Sequence, residues 1–180
     1  MAKTGETLRR DTKTPKEVAA ALFDAITAKD LDRPLELQDP DVVDDFVAIG
    51  QFRGRDAVRA FFAEMYEAFP DFRIEVDRII SDDRHAVVQW EASGTFSGGP
   101  FQGIEPTGKP VAIRGVDVME IENGKLRHNT IYYDGAAFAR QVGMLPRTGS
   151  IADRAVLTGF NAVTRLRSRL RGNEERSGTD

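Results

Sequence analysis

The chain has no cysteine, only two histidines and a single tryptophan among its 180 residues. The lack of cysteine excludes disulfides, thiolate nucleophiles and cysteine-ligated metal sites, so stability has to come from packing. The sequence has no run of 18 apolar residues that could span a membrane, and residues 1–13 have no apolar stretch resembling a secretory signal. We therefore expect a cytoplasmic protein without a membrane span.

The charge of the chain is also modest, with a formal net charge of -4. Such a balance provides no overall basic field for nucleic acid phosphates, which makes nucleic acid a poor candidate partner. No cluster has metal-ligand spacing, and no glycine-rich phosphate loop joins a strand to a helix. We predict neither a metal nor a cofactor.

The order of patterns along the chain predicts an α+β fold. Thr14 as N-cap and Glu17 form a capping box that starts the first helix, with Pro15 at the first helical position, and a second helix is expected between Gly54 and Pro70. From Phe72 onward apolar residues alternate with polar ones, as in antiparallel strands. Helices followed by strands predict a curved antiparallel sheet wrapped around the N-terminal helices, with a conical cavity inside.

Four segments are predicted along the chain. Residues 1–13 form a flexible N-terminal segment and residues 14–146 the folded domain. Residues 147–171 carry apolar side chains at helical spacing opposite arginines, which predicts a C-terminal amphipathic helix. Its apolar face could pack on the domain, on a partner subunit or on an anionic membrane. Residues 172–180 are expected to be a disordered tail.

A hairpin near the end of the domain defines the candidate site. Asn123-Gly124 is a strong two-residue turn signal between alternating strands at residues 111–121 and 125–133. This turn pairs Met119 with His128 and Asp117 with Thr130. Met119 belongs to the apolar face, so this register predicts that Asp117 and His128 both point inward.

Three ionisable side chains would then share the interior face, namely Asp117, His128 and Asp134. A buried polar group costs free energy unless it is paired, so each is either a satisfied structural residue or part of a site. Asp134 could instead cap the helix that follows, and His128 could be a buried histidine with one hydrogen bond. Trp90 and Tyr132 could line a pocket for a ring-containing ligand, although core packing explains them equally well.

Several short motifs, in this order, resemble the SnoaL-like polyketide cyclases of the NTF2-like superfamily over residues 18–146. The motifs are Gly54, Ala68-Phe69-Pro70-Asp71, Trp90 with Gly94-Thr95, Pro106-Thr107-Gly108-Lys109, Asn123-Gly124-Lys125-Leu126, Asp134 and Gln141-Val142-Gly143. The resemblance implies a cone-shaped α+β barrel, usually a homodimer, with a pocket for a small hydrophobic or aromatic molecule. It also implies that Asp134 is the general acid/base of a cofactor-free intramolecular aldol condensation.

The chain departs from this family pattern at two places. Phe96 follows Thr95 where many relatives have histidine, and His128 and Thr130 stand where relatives often have glutamate and tryptophan. These changes affect the substrate and the reaction that the resemblance implies, because fold membership alone does not determine chemistry.

The leading hypothesis is therefore a cofactor-independent acid/base enzyme acting on a small hydrophobic carbonyl compound. Asp134 would move a proton on carbon, while His128 with Asp117 would polarise or position the carbonyl oxygen. The side chains expected to contact the ligand are Trp90, Phe96, Met119, Thr130 and Tyr132. The alternatives are epoxide hydration or dehydration, which needs two carboxylates around one water, and a non-catalytic small-molecule-binding protein in which Asp134 only caps its helix.

Overall fold

The computed structural model describes residues 12–177, so almost all of the predicted flexible segment at residues 1–13 lies outside the described part. The helices are α1 (Pro15–Thr27), α2 (Arg33–Leu37), α3 (Arg55–Ala68), α4 (Gly135–Val142) and α5 (Ile151–Ser177). The strands are β1 (Gln38–Phe46), β2 (Gly50–Arg53), β3 (Arg73–Ser81), β4 (His85–Phe96), β5 (Lys109–Glu122) and β6 (Lys125–Tyr133).

All six strands form one curved sheet in the order β2-β1-β6-β5-β4-β3. Helices α1 and α3 pack their apolar faces against it, which confirms the predicted α+β fold. The sheet is not closed into a full barrel. The expectation of a wholly antiparallel sheet was wrong, because β1 pairs with β6 in parallel. Alternation along one strand reveals which face is buried but carries no information about the direction of a distant partner.

The predicted start of α1 is confirmed in detail. Thr14 accepts a hydrogen bond from the backbone of Glu17, and the Glu17 side chain accepts one from the backbone of Thr14. Val18 and Leu22 of this helix are buried in the main core against the sheet. The cap therefore sets the point from which the buried stripe of α1 begins.

The β5–β6 hairpin contains a bulge that the sequence-based register lacks. Ile121 lies opposite Leu126, as predicted, but the next pair joins Glu120 to His128. Arg127 is thus an extra residue on β6 without a partner on β5. A bulge of one residue exchanges the two faces of a strand for every later position.

Ion pairs on the outer side accompany this bulge. The Arg127 guanidinium lies 3.0 Å from the carboxylate of Asp39 and 3.7 Å from that of Glu122. Beyond it, His128 falls on the outer face of the sheet, and Asn129 falls on the inner face, where it is buried. The predicted inward direction of His128 was therefore wrong.

Helix α5 follows the domain and extends through the first part of the segment that we expected to be disordered. Three apolar side chains of its predicted stripe, Val156, Phe160 and Val163, are each at least half exposed. At these positions the stripe does not pack on its own domain. Among the described residues, no helix is long and apolar enough to cross a membrane.

Candidate functional site

An apolar cavity of about 140 Å³ lies between the helices and the inner face of the sheet. Eight phenylalanines line it together with Trp90 and Tyr133. Ile49 also lines the cavity and is 41% exposed, so the cavity reaches the surface beside the β1–β2 turn. Such a lining suits a small, apolar, ring-containing ligand.

A buried hydrogen-bonded cluster forms the polar part of the cavity wall. The Trp90 Nε1 donates to Asp117 Oδ1 at 2.7 Å, and the Asn129 Nδ2 donates to Asp117 Oδ2 at 2.8 Å. These bonds hold the Asp117 carboxylate in one orientation. They also fix the Asn129 amide, since only its nitrogen can donate to a carboxylate. Asn129 Oδ1 is left buried without a partner among the described residues.

Gly115 makes the Trp90–Asp117 hydrogen bond possible. It lies opposite Trp90 in the β4–β5 pair. A Cβ atom at this position would lie 2.3 Å from Trp90 Cζ2, which is far inside van der Waals contact. The absence of a side chain therefore allows the indole to lie against β5 and reach Asp117.

Asp44 is a second carboxyl group in the same wall. It lies on β1 directly opposite Asn129 of β6, is 3% exposed, and lines the cavity. Asp44 Oδ1 has no hydrogen-bond partner among the described residues. A buried carboxyl group without a partner is costly and rare in folded proteins, which makes Asp44 a candidate functional group.

Burial raises the pKa of both carboxyl groups, and the charge of Asp117 raises that of Asp44 further. Burial, and then the nearby charge of Asp117, raise the pKa of Asp44 to about 8. Burial also raises the pKa of Asp117, to about 6, while the hydrogen bonds from Asn129 and Trp90 oppose the shift. Near neutral pH, Asp117 is the ionised member of the pair and Asp44 the group that holds a proton.

Three of the predicted site residues line this cavity. They are Asp117, Trp90 and Met119, which are all buried on the inner face. Phe96 is also fully buried, but it stacks on Phe69 with ring centroids 5.1 Å apart and is not part of the cavity lining.

The bulge at Arg127 moves the predicted β6 residues away from the cavity. Thr130 lies opposite Val118 on the outer face, and Tyr132 is 51% exposed there. Tyr133 lines the cavity in place of Tyr132. The predicted Asp117–His128 pair does not form, since Asn129 holds the inward position next to Asp117.

Asp134 lies at the N-terminus of α4, outside the cavity lining. Its Oδ1 accepts a hydrogen bond of 2.8 Å from the backbone of Ala137, and the residue is exposed. This is the capping geometry that the sequence left open as an alternative to catalysis. Asp134 and His128 are thus both separated from the buried carboxyl groups.

Sequence reasoning missed Asp44, Asn129 and Gln38, which all line the cavity. A signal for Asp44 existed, because alternation from the buried Val42 places it on the inner face of β1. No local signal identified Asn129, whose direction depends on the bulge. Within residues 12–177, no group of three or more histidine, aspartate or glutamate side chains is arranged to hold a metal ion.

Comparisons with solved structures identify the same fold. A candidate SnoaL-like polyketide cyclase from Jannaschia sp. CCS1 is 23% identical, with a TM-score of 0.66 over 76% of this chain and 99% of that one. AclR from Streptomyces galilaeus, described as a candidate hydroxylase, is 21% identical, with a TM-score of 0.65 over 85% of this chain and 96% of that one. IdmH from Streptomyces antibioticus, a candidate polyketide cyclase, is 24% identical, with a TM-score of 0.62 over 73% of this chain and 99% of that one.

Sequence comparison extends this result from fold to family. Curated proteins give no match. The sequence model of the SnoaL-like polyketide cyclases matches residues 16–142, which is more than half of the chain and contains the whole cavity wall described above. The chain therefore belongs to the SnoaL-like polyketide cyclase family.

Proposed function

We propose that this protein is a cofactor-independent acid/base enzyme that enolises a small hydrophobic carbonyl compound, as a step toward isomerisation or intramolecular aldol condensation. The observation that carries the proposal is Asp44, a buried carboxyl group in an aromatic cavity, whose Oδ1 has no hydrogen-bond partner among the residues that the structure describes. A group with a pKa near 8 can take and return a proton at neutral pH.

In this proposal Asp44 has the role that the sequence assigned to Asp134. The ionised form of Asp44 removes a proton from the carbon next to the carbonyl group and returns it to the same or another carbon. Asp117 is assigned a supporting role, since Trp90 and Asn129 donate hydrogen bonds to its two oxygens and hold it in place. It positions Asn129 and Trp90 and, through its charge, raises the pKa of Asp44.

The aromatic lining supports the second part of the proposal. Apolar walls orient a ring-containing carbonyl compound and exclude water, which strengthens every interaction of the buried carboxyl groups. Tyr133 and Gln38 also line the cavity, and in this proposal the tyrosine hydroxyl or the glutamine amide donates a hydrogen bond to the oxygen of the enolate.

Hydrogen–deuterium exchange tests this function without knowledge of the natural substrate. In D₂O, the protein should catalyse loss of the α-proton signals of a small aryl ketone such as 4-phenylbutan-2-one, followed by NMR against heat-denatured protein. Asp44→Asn should reduce this rate to the background, while Asp134→Asn should retain it. A fully active Asp44→Asn variant would refute the role of Asp44, and loss of exchange in Asp134→Asn alone would restore the assignment made from sequence.

Hydration of an epoxide is a second candidate, favoured by one observation. Asp44 and Asp117 line the same cavity, so the two carboxylates that could activate one water are present. The test is diol formation from styrene oxide in H₂¹⁸O. Turnover that depends on both carboxylates would support hydration, and ketone exchange without any diol would refute it.

We also propose that the protein forms a homodimer through the outer face of the sheet. Val87, Val118 and Thr130 form a row across three adjacent strands on this face, and Val116 lies beside the half-exposed Tyr132. A charge in the middle of this patch, as in Val118→Lys, should convert a dimer into a monomer in sedimentation experiments. Asp83→Lys, in the β3–β4 turn, is the control. A wild-type chain that sediments as a monomer would refute the proposal.

A cytoplasmic location and the lack of a cofactor stay predictions.

A further inference from the structure

Among the residues that the structure describes, the polar part of the cavity has two carboxyl groups and no positively charged partner. Among the described residues that line the cavity, none is lysine, arginine or histidine. The ionisable side chains in this lining are Asp44, Asp117 and Tyr133. Removing a carboxylate from water costs free energy that only an opposite charge or hydrogen bonds can offset. Asp117 receives two such bonds, whereas Asp44 Oδ1 has no partner.

The buried polar atoms of this wall that have no hydrogen-bond partner among the described residues are both oxygens. Asp44 Oδ1 and Asn129 Oδ1 are both buried oxygens without a partner, and their residues lie opposite each other on adjacent strands. The orientation of the Asn129 amide is fixed, since its nitrogen donates to Asp117. When Asp44 is ionised it has no O–H group to donate, so a ligand that satisfies both oxygens then has to bring hydrogen-bond donors.

The other residues of the cavity indicate which kind of ligand would carry these donors. Faces of aromatic rings attract cations, and the attraction is strongest where water is excluded. Eight phenylalanines, Trp90 and Tyr133 line the same cavity as the buried carboxyl groups. Aromatic walls and unneutralised carboxyl groups together favour a positively charged ligand with an apolar body.

We propose that the cavity binds small hydrophobic ammonium ions, with the N–H groups directed to Asp44 and Asn129 and the apolar body against the aromatic wall. Such ligands would compete with the carbonyl compounds of the proposed function. The inference rests on that function in one respect only, namely that Asp44 can ionise inside the cavity. It requires no turnover.

Three ligands of nearly equal shape separate the effect of the ligand's charge from the effect of its shape. N-methylphenethylamine, 4-phenylbutan-2-one and butylbenzene differ only in the group that follows the phenylethyl chain. We expect the amine to bind at least ten times more tightly than the other two at pH 8, measured by isothermal titration calorimetry on the full chain. The fluorescence of Trp90, the single tryptophan, reports whether binding occurs in the cavity, because its indole lines the wall.

The pH dependence separates this binding from simple hydrophobic partition. The amine stays protonated up to about pH 10, so its affinity should rise at least tenfold between pH 6 and pH 8.5 as Asp44 ionises. The ketone and butylbenzene should show no such rise. Asp117→Asn identifies any part of the increase that comes from Asp117, whose carboxyl ionises at the lower end of this range.

Substitutions provide the decisive comparison. Asp44→Asn should remove the part of the amine preference, and of its rise with pH, that Asp117→Asn leaves in place, whereas Asp45→Asn, on the opposite face of β1, should retain the full effect. Equal affinity for the three ligands, or an amine preference as large in Asp44→Asn as in the wild type, would overturn the inference. Deuterium exchange of the ketone without amine preference would leave the proposed function standing alone. Amine preference without ketone exchange would support the binding of ammonium ions and refute the proposed function.

Discussion

Replacing Asp44 with asparagine should make the protein more stable at neutral pH. Asparagine has nearly the same shape as aspartate but does not ionise, so the substitution removes the cost of a buried acid from the folded state. Most substitutions of buried residues destabilise a protein. The expected direction is therefore unusual, and it follows from the missing hydrogen-bond partner of Asp44 Oδ1.

The size of the effect follows from the pKa of Asp44 in the two states. It rises from 3.8, the value for an unperturbed aspartate, to about 8 in the folded protein. Below pH 3.8 the group is protonated in both states and contributes nothing. Between pH 3.8 and 8 only the unfolded chain releases the proton, so the free energy of unfolding falls by roughly 1.4 kcal/mol per pH unit. At pH 7 the accumulated cost is about 4 kcal/mol, an upper limit that structural relaxation reduces.

Urea unfolding followed by far-UV circular dichroism measures this cost. We expect the free energy of unfolding of Asp44→Asn to exceed that of the wild type by about 2–4 kcal/mol at pH 7. The difference should be smaller at pH 5 and should disappear near pH 3.5. Asp45→Asn, on the outer face of the same strand, should change stability little. A destabilised Asp44→Asn variant at pH 7, or a gain that does not depend on pH, would refute the reasoning.

Four further results are expected. Gly115→Ala forces the Trp90 indole away from β5 and should lower the free energy of unfolding by about 1–3 kcal/mol. In a Trp90→Phe background the same substitution should lower it much less, as measured by unfolding followed by circular dichroism. Asp134→Ala removes a helix cap and should cost about 1 kcal/mol in urea unfolding while ketone exchange continues. Asp117→Asn, unlike the same change at Asp44, should destabilise the protein, because an amide cannot accept hydrogen bonds at both ends. The kcat/KM for ketone exchange should rise with pH to a plateau above the pKa of Asp44, about 8, and a flat profile would contradict its role as a base.

Much of the fold could be predicted because its signals are local. A capping box, apolar stripes and a two-residue turn act over a few residues, and the structure has all three where the sequence placed them. The parallel pairing of β1 with β6 joins strands that are more than 80 residues apart, so no local pattern predicted it. The short strand β2 is held mainly by its pairing with β1, which its own four residues do not reveal.

The candidate site was harder to predict than the fold, because its composition depends on one extra residue. Arg127 shifts the register of β6, which turns His128 outward and brings Asn129 to Asp117. Asp117 lies on the strand without the extra residue, and its predicted inward direction agrees with the structure. A one-residue change in register leaves the fold intact and replaces the β6 residues beyond the bulge that face the cavity, which are Asn129, Ile131 and Tyr133.

The contrast between Asp134 and Asp44 shows what separates a structural carboxylate from a candidate functional one. Asp134 accepts the backbone hydrogen bond that its position at the start of a helix offers, so its presence needs no ligand to explain it. Among the described residues Asp44 Oδ1 has no hydrogen-bond partner, and burial raises the pKa of its carboxyl, so we expect its ionisation to destabilise the fold. Such a group, held against a cavity, is a candidate functional residue. The stability gain of Asp44→Asn and its loss of exchange and amine binding are therefore expected to occur together in one variant.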